Sequence, residues 1–219
     1  MGMILDRTAF ILENTRLQPP PHTPELVLHM ADDVMPIWRL TEEALEELGL
    51  PPPFWAFAWA GGQALARYIL DHPQEVAGKQ VVDFASGSGL VAIAAMKAGA
   101  ASVLAIDIDA FAGAAIGLNA AANGVAVACH IADVLDAPPP KADVMLAGDI
   151  CYERPVAEKV IAWLAAAKAA GARVLIGDPE RTYFPKADLV RLAEYQVSTV
   201  SALEDQEIKR TSVWTFPGE

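Results

Sequence analysis

From Gln80 onward the chain alternates short apolar runs with longer stretches of helical spacing. The runs at 80–85, 102–107, 126–130, 143–148 and 172–177 read as buried strands, and 89–99, 110–122 and 153–169 carry the three-to-four-residue period of helices. Asn123-Gly124 is a suitable stop for the second helix. Such alternation predicts parallel strands, right-handed crossovers and helices on both faces of one sheet. The pattern changes at the C-terminus. Tyr195 to Ala202 and Glu207 to Phe216 are two strand-like runs joined by a turn at Glu204-Asp205-Gln206, which predicts an antiparallel hairpin. The first 79 residues read as a helical accessory segment on a single domain whose core is 80–219. Helical spacing covers Phe10–Arg16, Pro24–Ala31, Thr41–Leu48 and Gly61–Leu70, with breaks at Pro19-Pro20-Pro21, Pro51-Pro52-Pro53 and Asp71-His72-Pro73.

Composition narrows the function classes. The 219 residues are 53% hydrophobic and 20% charged, as in a compact globular chain. A net charge of −12 argues against a nucleic-acid partner, since phosphate contacts need clustered Lys and Arg. The two cysteines (Cys129, Cys151) and four scattered histidines have no metal-ligand spacing, so no metal or disulfide is expected, and a reducing, cytoplasmic setting is the simpler expectation. The start shows no secretory signal. The longest apolar stretch, Gly89 to Ile106, is broken by Lys97 and Gly99 and predicts helix, turn and strand rather than a membrane span.

The candidate chemistry begins at the end of the first core strand. Asp83-Phe84-Ala85-Ser86-Gly87-Ser88-Gly89 is a glycine-rich turn, and Asp107 lies 20 positions after Gly87, at the next strand end. Glycines let a backbone approach a ligand closely, and an acid at that strand end suits a ribose diol. Gly87 to Ala92 also fits the G-x-G-x-x-A dinucleotide fingerprint, so a nicotinamide or flavin enzyme is a competing reading. Three features favour a sulfonium amino-acid cofactor. Asp83 would crowd a pyrophosphate but can help hold an ammonium. The fingerprint comes only after 80 residues, and a closing hairpin is foreign to a six-stranded dinucleotide fold.

VVDFASGSG resembles the first motif of class I S-adenosylmethionine methyltransferases, with Ala85 where the common pattern has glycine. That resemblance implies a Rossmann-like seven-stranded α/β sheet with a C-terminal antiparallel hairpin and an N-terminal helical extension. It implies S-adenosyl-L-methionine as cofactor, held by Asp83, Ala85, Ser86, Gly87, Ser88, Gly89, Asp107 and Ile108. In IADVLD it points to Asp133 and Val134 beside the adenine; Asp136 reads as a solvated turn residue, and Asp109 as the N-cap of the next helix. Asp149-x-x-Tyr152 resembles the acid-x-x-Tyr motif of protein lysine methyltransferases, making Asp149 and Tyr152 the catalytic candidates.

A broader resemblance covers most of the chain. FWAFAWAGGQALARYILDHP (Phe54–Pro73), AIDID, GDICYE, IGDPERTYFP (Ile176–Pro185) and LEDQEIKRTSVW are similar to the electron transfer flavoprotein β-subunit lysine methyltransferase family. The bacterial branch fits best, because no Arg-rich transit segment is present. Glu180 stands where GDPGR would have glycine. The implied activity is methylation of protein lysines, with the flavoprotein β-subunit as expected partner. Alternatives are an N-methyltransferase for another protein, such as a ribosomal one, or for a small amine; from another class, an NAD(P)-dependent oxidoreductase. Trp59 is expected to cover the cofactor or line the lysine channel, and Trp38, Trp55, Phe57 and Trp214 to pack in the core. Asp178 and Arg181 form a loop ion pair or meet the substrate.

Overall fold

The computed structural model describes residues 6–31, 52–199 and 208–218. The Thr41–Leu48 helix, Trp38 and the Glu204-Asp205-Gln206 turn lie outside the described residues. Seven strands form one sheet: β3 (Gln80–Phe84), β4 (Ser102–Asp107), β5 (Ala128–Ile131), β6 (Val144–Gly148), β7 (Arg173–Asp178), β8 (Val190–Ser198) and β9 (Ile208–Thr215), in the order β5-β4-β3-β6-β7-β9-β8. The first five named run parallel, and β9 is antiparallel to both β7 and β8. The predicted sheet and hairpin are therefore present, with β8 starting earlier than Tyr195.

Side chains alternate across this sheet with the two-residue period of a strand. Val81 and Leu146 pack into one core with Leu65, Ile69 and Ile93, while Val82 and Met145 face the other with Trp163, Leu164 and Ile176. Helices α3 (Leu90–Lys97), α4 (Ala110–Ala122) and α5 (Arg154–Ala169) provide the crossovers, and α2 (Ala60–Asp71) packs against β6 and β7. Asp109 caps α4 by accepting the Phe111 N–H at 2.8 Å, as read from the sequence, and Asp136 is solvated. Among the described residues no helix is long and apolar enough to cross a membrane.

The accessory segment departs from expectation. Helix α1 runs Arg7–Asn14, but Arg16–Gln18 is β1, and within the predicted Pro24–Ala31 helix Leu28–Met30 is β2, antiparallel to β1. The cause is long-range. Asn119 on α4 and Asn123 at its C-cap capture this backbone: His29 N–H donates to Asn119 Oδ1 at 2.7 Å, and Asn123 exchanges bonds with Val27 N–H and C=O at 3.1 and 2.6 Å. A strand presents those groups sideways, whereas a helix would bond them internally. Leu28 and Met30 are then buried on one side with His29 between them.

Candidate active site

In open α/β sheets ligands gather outside the carboxyl ends of strands where the order reverses, here between β3 and β6. Beyond β3 the chain turns through Ala85, Gly87 (φ 54°) and Gly89 (φ 83°) into α3. Asp107 braces this turn from β4, with Oδ2 accepting the Gly87 N–H at 2.8 Å and Oδ1 the Asp109 N–H at 2.9 Å. The buried Ser88 carbonyl accepts from Asn119 Nδ2 at 2.7 Å. Asp83 lies beneath, fully buried, its Oδ2 accepting from Ser86 Oγ at 2.5 Å and from Ala92 N–H at 3.1 Å.

Burial pushes the Asp83 carboxyl up to about 7, against the opposing pull of the Ser86 and Ala92 bonds. An unfolded aspartate titrates near 3.9, so between these values the folded state binds more protons and stability falls as pH rises. Asp83→Asn keeps an acceptor for both donors and carries no charge. We expect it to be more stable than the wild type at pH 8, by on the order of 2 kcal/mol, and to melt at a higher temperature. The gap should shrink towards pH 5 in a thermal-melt series.

The second half of the site is built on β6, β7 and α2. Asp149 follows β6 with φ 56° and donates its N–H to the Gly177 carbonyl at 2.9 Å. Its carboxylate is 8% exposed. Oδ1 takes two bonds from Arg181, from Nε at 2.7 Å and Nη2 at 2.6 Å, and Oδ2 accepts the Gly61 N–H in the first turn of α2. A helix N-terminus favours an anion there. The approach depends on absent side chains: a Cβ on Gly177 would collide with the Gly61 carbonyl, and one on Gly61 with the Gly177 carbonyl. Thus the AGG and GDP segments, far apart in sequence, form one backbone contact.

Asp178 ends β7, fully buried, with Oδ1 accepting the Arg181 N–H at 2.7 Å. Burial first, then the neighbouring Asp149 charge, push its carboxyl up to about 7. The Cys151 thiol is pushed up to about 12 by burial and by Asp178 and Asp149, which leaves it inert as a nucleophile.

An aromatic rim closes the opening. Phe54 and Tyr152 are each about half exposed, with Phe54 5.8 Å from Trp59 and 5.7 Å from Tyr152 between ring centroids. Trp59 donates Nε1–H to the Phe54 carbonyl at 2.9 Å, and the Arg181 guanidinium lies 5.9 Å from the Trp59 ring centroid. The same Phe54 carbonyl lies 3.9 Å from where a Cβ on Gly87 would stand, so rim and glycine turn are contiguous. Burial raises the Tyr152 phenol, with Glu153 and Asp107 adding to it, so Tyr152 feels the acid across the cleft. Trp55 stacks on Phe111 and is buried with Phe57, while Trp214 is buried elsewhere, against Phe184 in the core that holds Trp163.

The structure thus brings Ala85–Gly89, Asp107, Trp59 and Tyr152 to one cleft, with Asp149 at its base. Ile108 follows Asp107 and is 70% exposed, an apolar face suited to a purine. Asp133 is exposed and accepts the Leu135 N–H at 3.1 Å, while Val134 is half-buried against the β6 core. The exposed Ala85 and half-buried Gly87 of the turn, the acid at the β4 end and the bare Ile108 fit an adenosine-containing cofactor. The Arg181–Asp149 pair was not anticipated; its only sequence signal was the GDP-x-R segment.

Three non-glycine residues have positive φ among the described residues: Ala85 (53°), Asp149 (56°) and Glu180 (59°), at the carboxyl ends of β3, β6 and β7. Ala85 and Glu180 are the two places where glycine was expected. Left-handed backbone costs a residue with a Cβ roughly 1–2 kcal/mol, partly offset by glycine's larger unfolded-state entropy. Ala85→Gly is therefore expected to leave stability unchanged or raise it by up to about 1 kcal/mol; a lowered thermal midpoint would contradict this.

A sheet in this order, with an acid at the β4 end and a glycine turn at its switch point, defines a class I methyltransferase fold. Solved structures agree on the fold. A ribosomal protein L11 methylase from Lactobacillus delbrueckii subsp. bulgaricus superposes with TM-score 0.50 at 22% identity, over 71% of this chain and 78% of that one. Magnesium protoporphyrin IX methyltransferase from Synechocystis PCC 6803, solved with bound SAM, gives 0.51 at 16%, over 71% and 77%. The family model of Ribosomal protein L11 methyltransferase (PrmA) matches residues 64–211. The rat electron transfer flavoprotein beta subunit lysine methyltransferase is 36% identical over 225 residues, covering 99% of this chain and 87% of that protein. This chain belongs to the electron transfer flavoprotein β-subunit lysine methyltransferase family.

Proposed function

We propose that this enzyme transfers the methyl group of S-adenosylmethionine to lysine side chains of a protein, and that its substrate is the electron transfer flavoprotein β-subunit. The observation that carries this reading is the buried Asp149 carboxylate under an aromatic rim, across the cleft from Asp107. When bound, the cofactor supplies an electrophilic methyl carbon on a sulfonium. The chain would hold its ribose with Asp107 and its adenine against Ile108, Asp133 and Val134, along the Ala85–Gly89 turn. Asp83 and Ser86 support that turn from beneath.

A lysine amine is almost wholly protonated at neutral pH, with on the order of one in a thousand free. The chain must therefore accept an ammonium, let a proton leave and align the lone pair. Asp149 attracts and orients the ammonium, and Trp59 and Tyr152 wall its path with aromatic faces. A carboxylate is a weak base for an alkylammonium, so water takes the proton and positioning supplies the acceleration. The acidic surface steers a lysine-rich loop towards the site, an attraction that salt weakens. We assign the enzyme to the cytoplasm, consistent with two unpaired cysteines.

Calorimetry tests the cofactor assignment. S-adenosylhomocysteine should bind and NAD(P) should not, and Asp107→Ala should weaken S-adenosylhomocysteine about tenfold or more, as the loss of hydrogen bonds to a charged group implies. Binding of NAD(P) alone would sink the assignment. Labelled S-adenosylmethionine with a lysate of the source organism should mark a protein of the flavoprotein subunit's mass.

A further inference from the structure

The cation that Asp149 needs is already present. Given that a substrate lysine is methylated at Asp149, the reading above, we propose that Arg181 is an internal stand-in for the substrate cation. It pairs with Asp149 and yields that carboxylate to the incoming lysine ammonium. Arg181 thereby sets how readily the site accepts a lysine, a positioning role outside the bond-making step.

A carboxylate held ready for a cationic substrate would be buried without a partner between turnovers, a costly state. Here Arg181 supplies two bonds to Oδ1, and its guanidinium lies within cation–π range of Trp59. Carboxylate plus aromatic face is the pair that recognises an alkylammonium, and Arg181 fills both. Only its side chain has to move. The backbone is fixed by the Arg181 N–H to Asp178 Oδ1, by the Phe184 N–H to the Arg181 carbonyl at 2.9 Å, and by the Lys186–Glu180 ion pair at 2.7 Å. The side chain keeps a solvent-facing edge, being 18% exposed. A second carboxylate stands ready to receive it, since the buried Asp178 Oδ2 has no hydrogen-bond partner among the described residues. The exchange leaves Asp149 with a cation at every stage.

The test is steady-state methyl transfer to the purified β-subunit by wild type, Arg181→Ala and Arg181→Lys. If Arg181 occupies Asp149 about nine-tenths of the time, removing it lowers KM for the protein about tenfold, with kcat changed less. Arg181→Lys, a weaker competitor that keeps the charge, should lower KM by a smaller factor and serves alone if Arg181→Ala fails to fold. Methylguanidinium chloride at matched ionic strength should inhibit Arg181→Ala competitively against the protein and leave the wild type almost unaffected. Restoration of Arg181→Ala activity by methylguanidinium, or a KM unchanged or raised in the folded variants, overturns the proposal and makes Arg181 a structural brace. No transfer by the wild type would instead remove the lysine reading beneath it.

Discussion

Asp149→Asn is expected to reduce methyl transfer by about 10² or more while S-adenosylhomocysteine still binds within a few-fold of wild type. Removing one preorganised electrostatic group commonly costs a factor of 10²–10³ in kcat. The affinity should survive because the contacts assigned to the cofactor lie on β3, β4 and the segment after β5, whereas Asp149 sits at the end of β6. The variant should also lose stability. Asparagine cannot neutralise Arg181, and breaking a buried pair costs about 3–5 kcal/mol, discounted here to about 2–3 because the guanidinium can turn to solvent. Kinetics, calorimetry and a thermal melt on one preparation separate these effects. Full activity in Asp149→Asn would exclude the assigned role.

Gly177→Ala should be severely damaging for the addition of a single methyl group. The added Cβ would collide with the Gly61 carbonyl and stand 2.8 Å from Leu65 Cβ. Backbone cannot rotate away as a side chain can, so α2 must shift bodily. Overpacking costs about 1–3 kcal/mol when side chains can adjust, and more than about 3 is expected against backbone. The shift would also pull the Gly61 N–H from Asp149 and lower transfer. Gly117→Ala on α4 is the control. It has open space at its Cβ and helical backbone, so it should be neutral or gain up to about 1 kcal/mol. Equal thermal midpoints for the two variants would contradict the close-approach argument.

The core was legible because its signals are local. β3, β4, β6 and β7 are apolar runs between helical stretches, and the Asn123-Gly124 stop and the Asp109 cap fall where read. What failed was set from a distance. Leu28–Met30 is a strand because Asn119, some 90 residues later, bonds the His29 N–H and Asn123 holds Val27 just before it. The glycine turn, Asp107 and the Asp149-x-x-Tyr152 segment could be marked as chemistry, but not their links. Arg181 meets Asp149 because β6 and β7 are neighbouring parallel strands, and the Gly61 N–H reaches the same carboxylate because Gly61 and Gly177 let α2 and β7 touch; no spacing in the chain records either contact. Asp83 illustrates the same limit: the motif makes it a cofactor-binding acid that helps hold an ammonium, while the fold buries it with Ser86 Oγ and the Ala92 N–H as its partners.

The most direct test of the central claim is intact-mass and peptide analysis of the purified flavoprotein β-subunit after incubation with this enzyme and S-adenosylmethionine. The account predicts mass gains of whole methyl groups, located on lysines, absent with Asp149→Asn and abolished when those lysines become arginines. An unmodified β-subunit, with wild-type enzyme that binds S-adenosylhomocysteine, would contradict it.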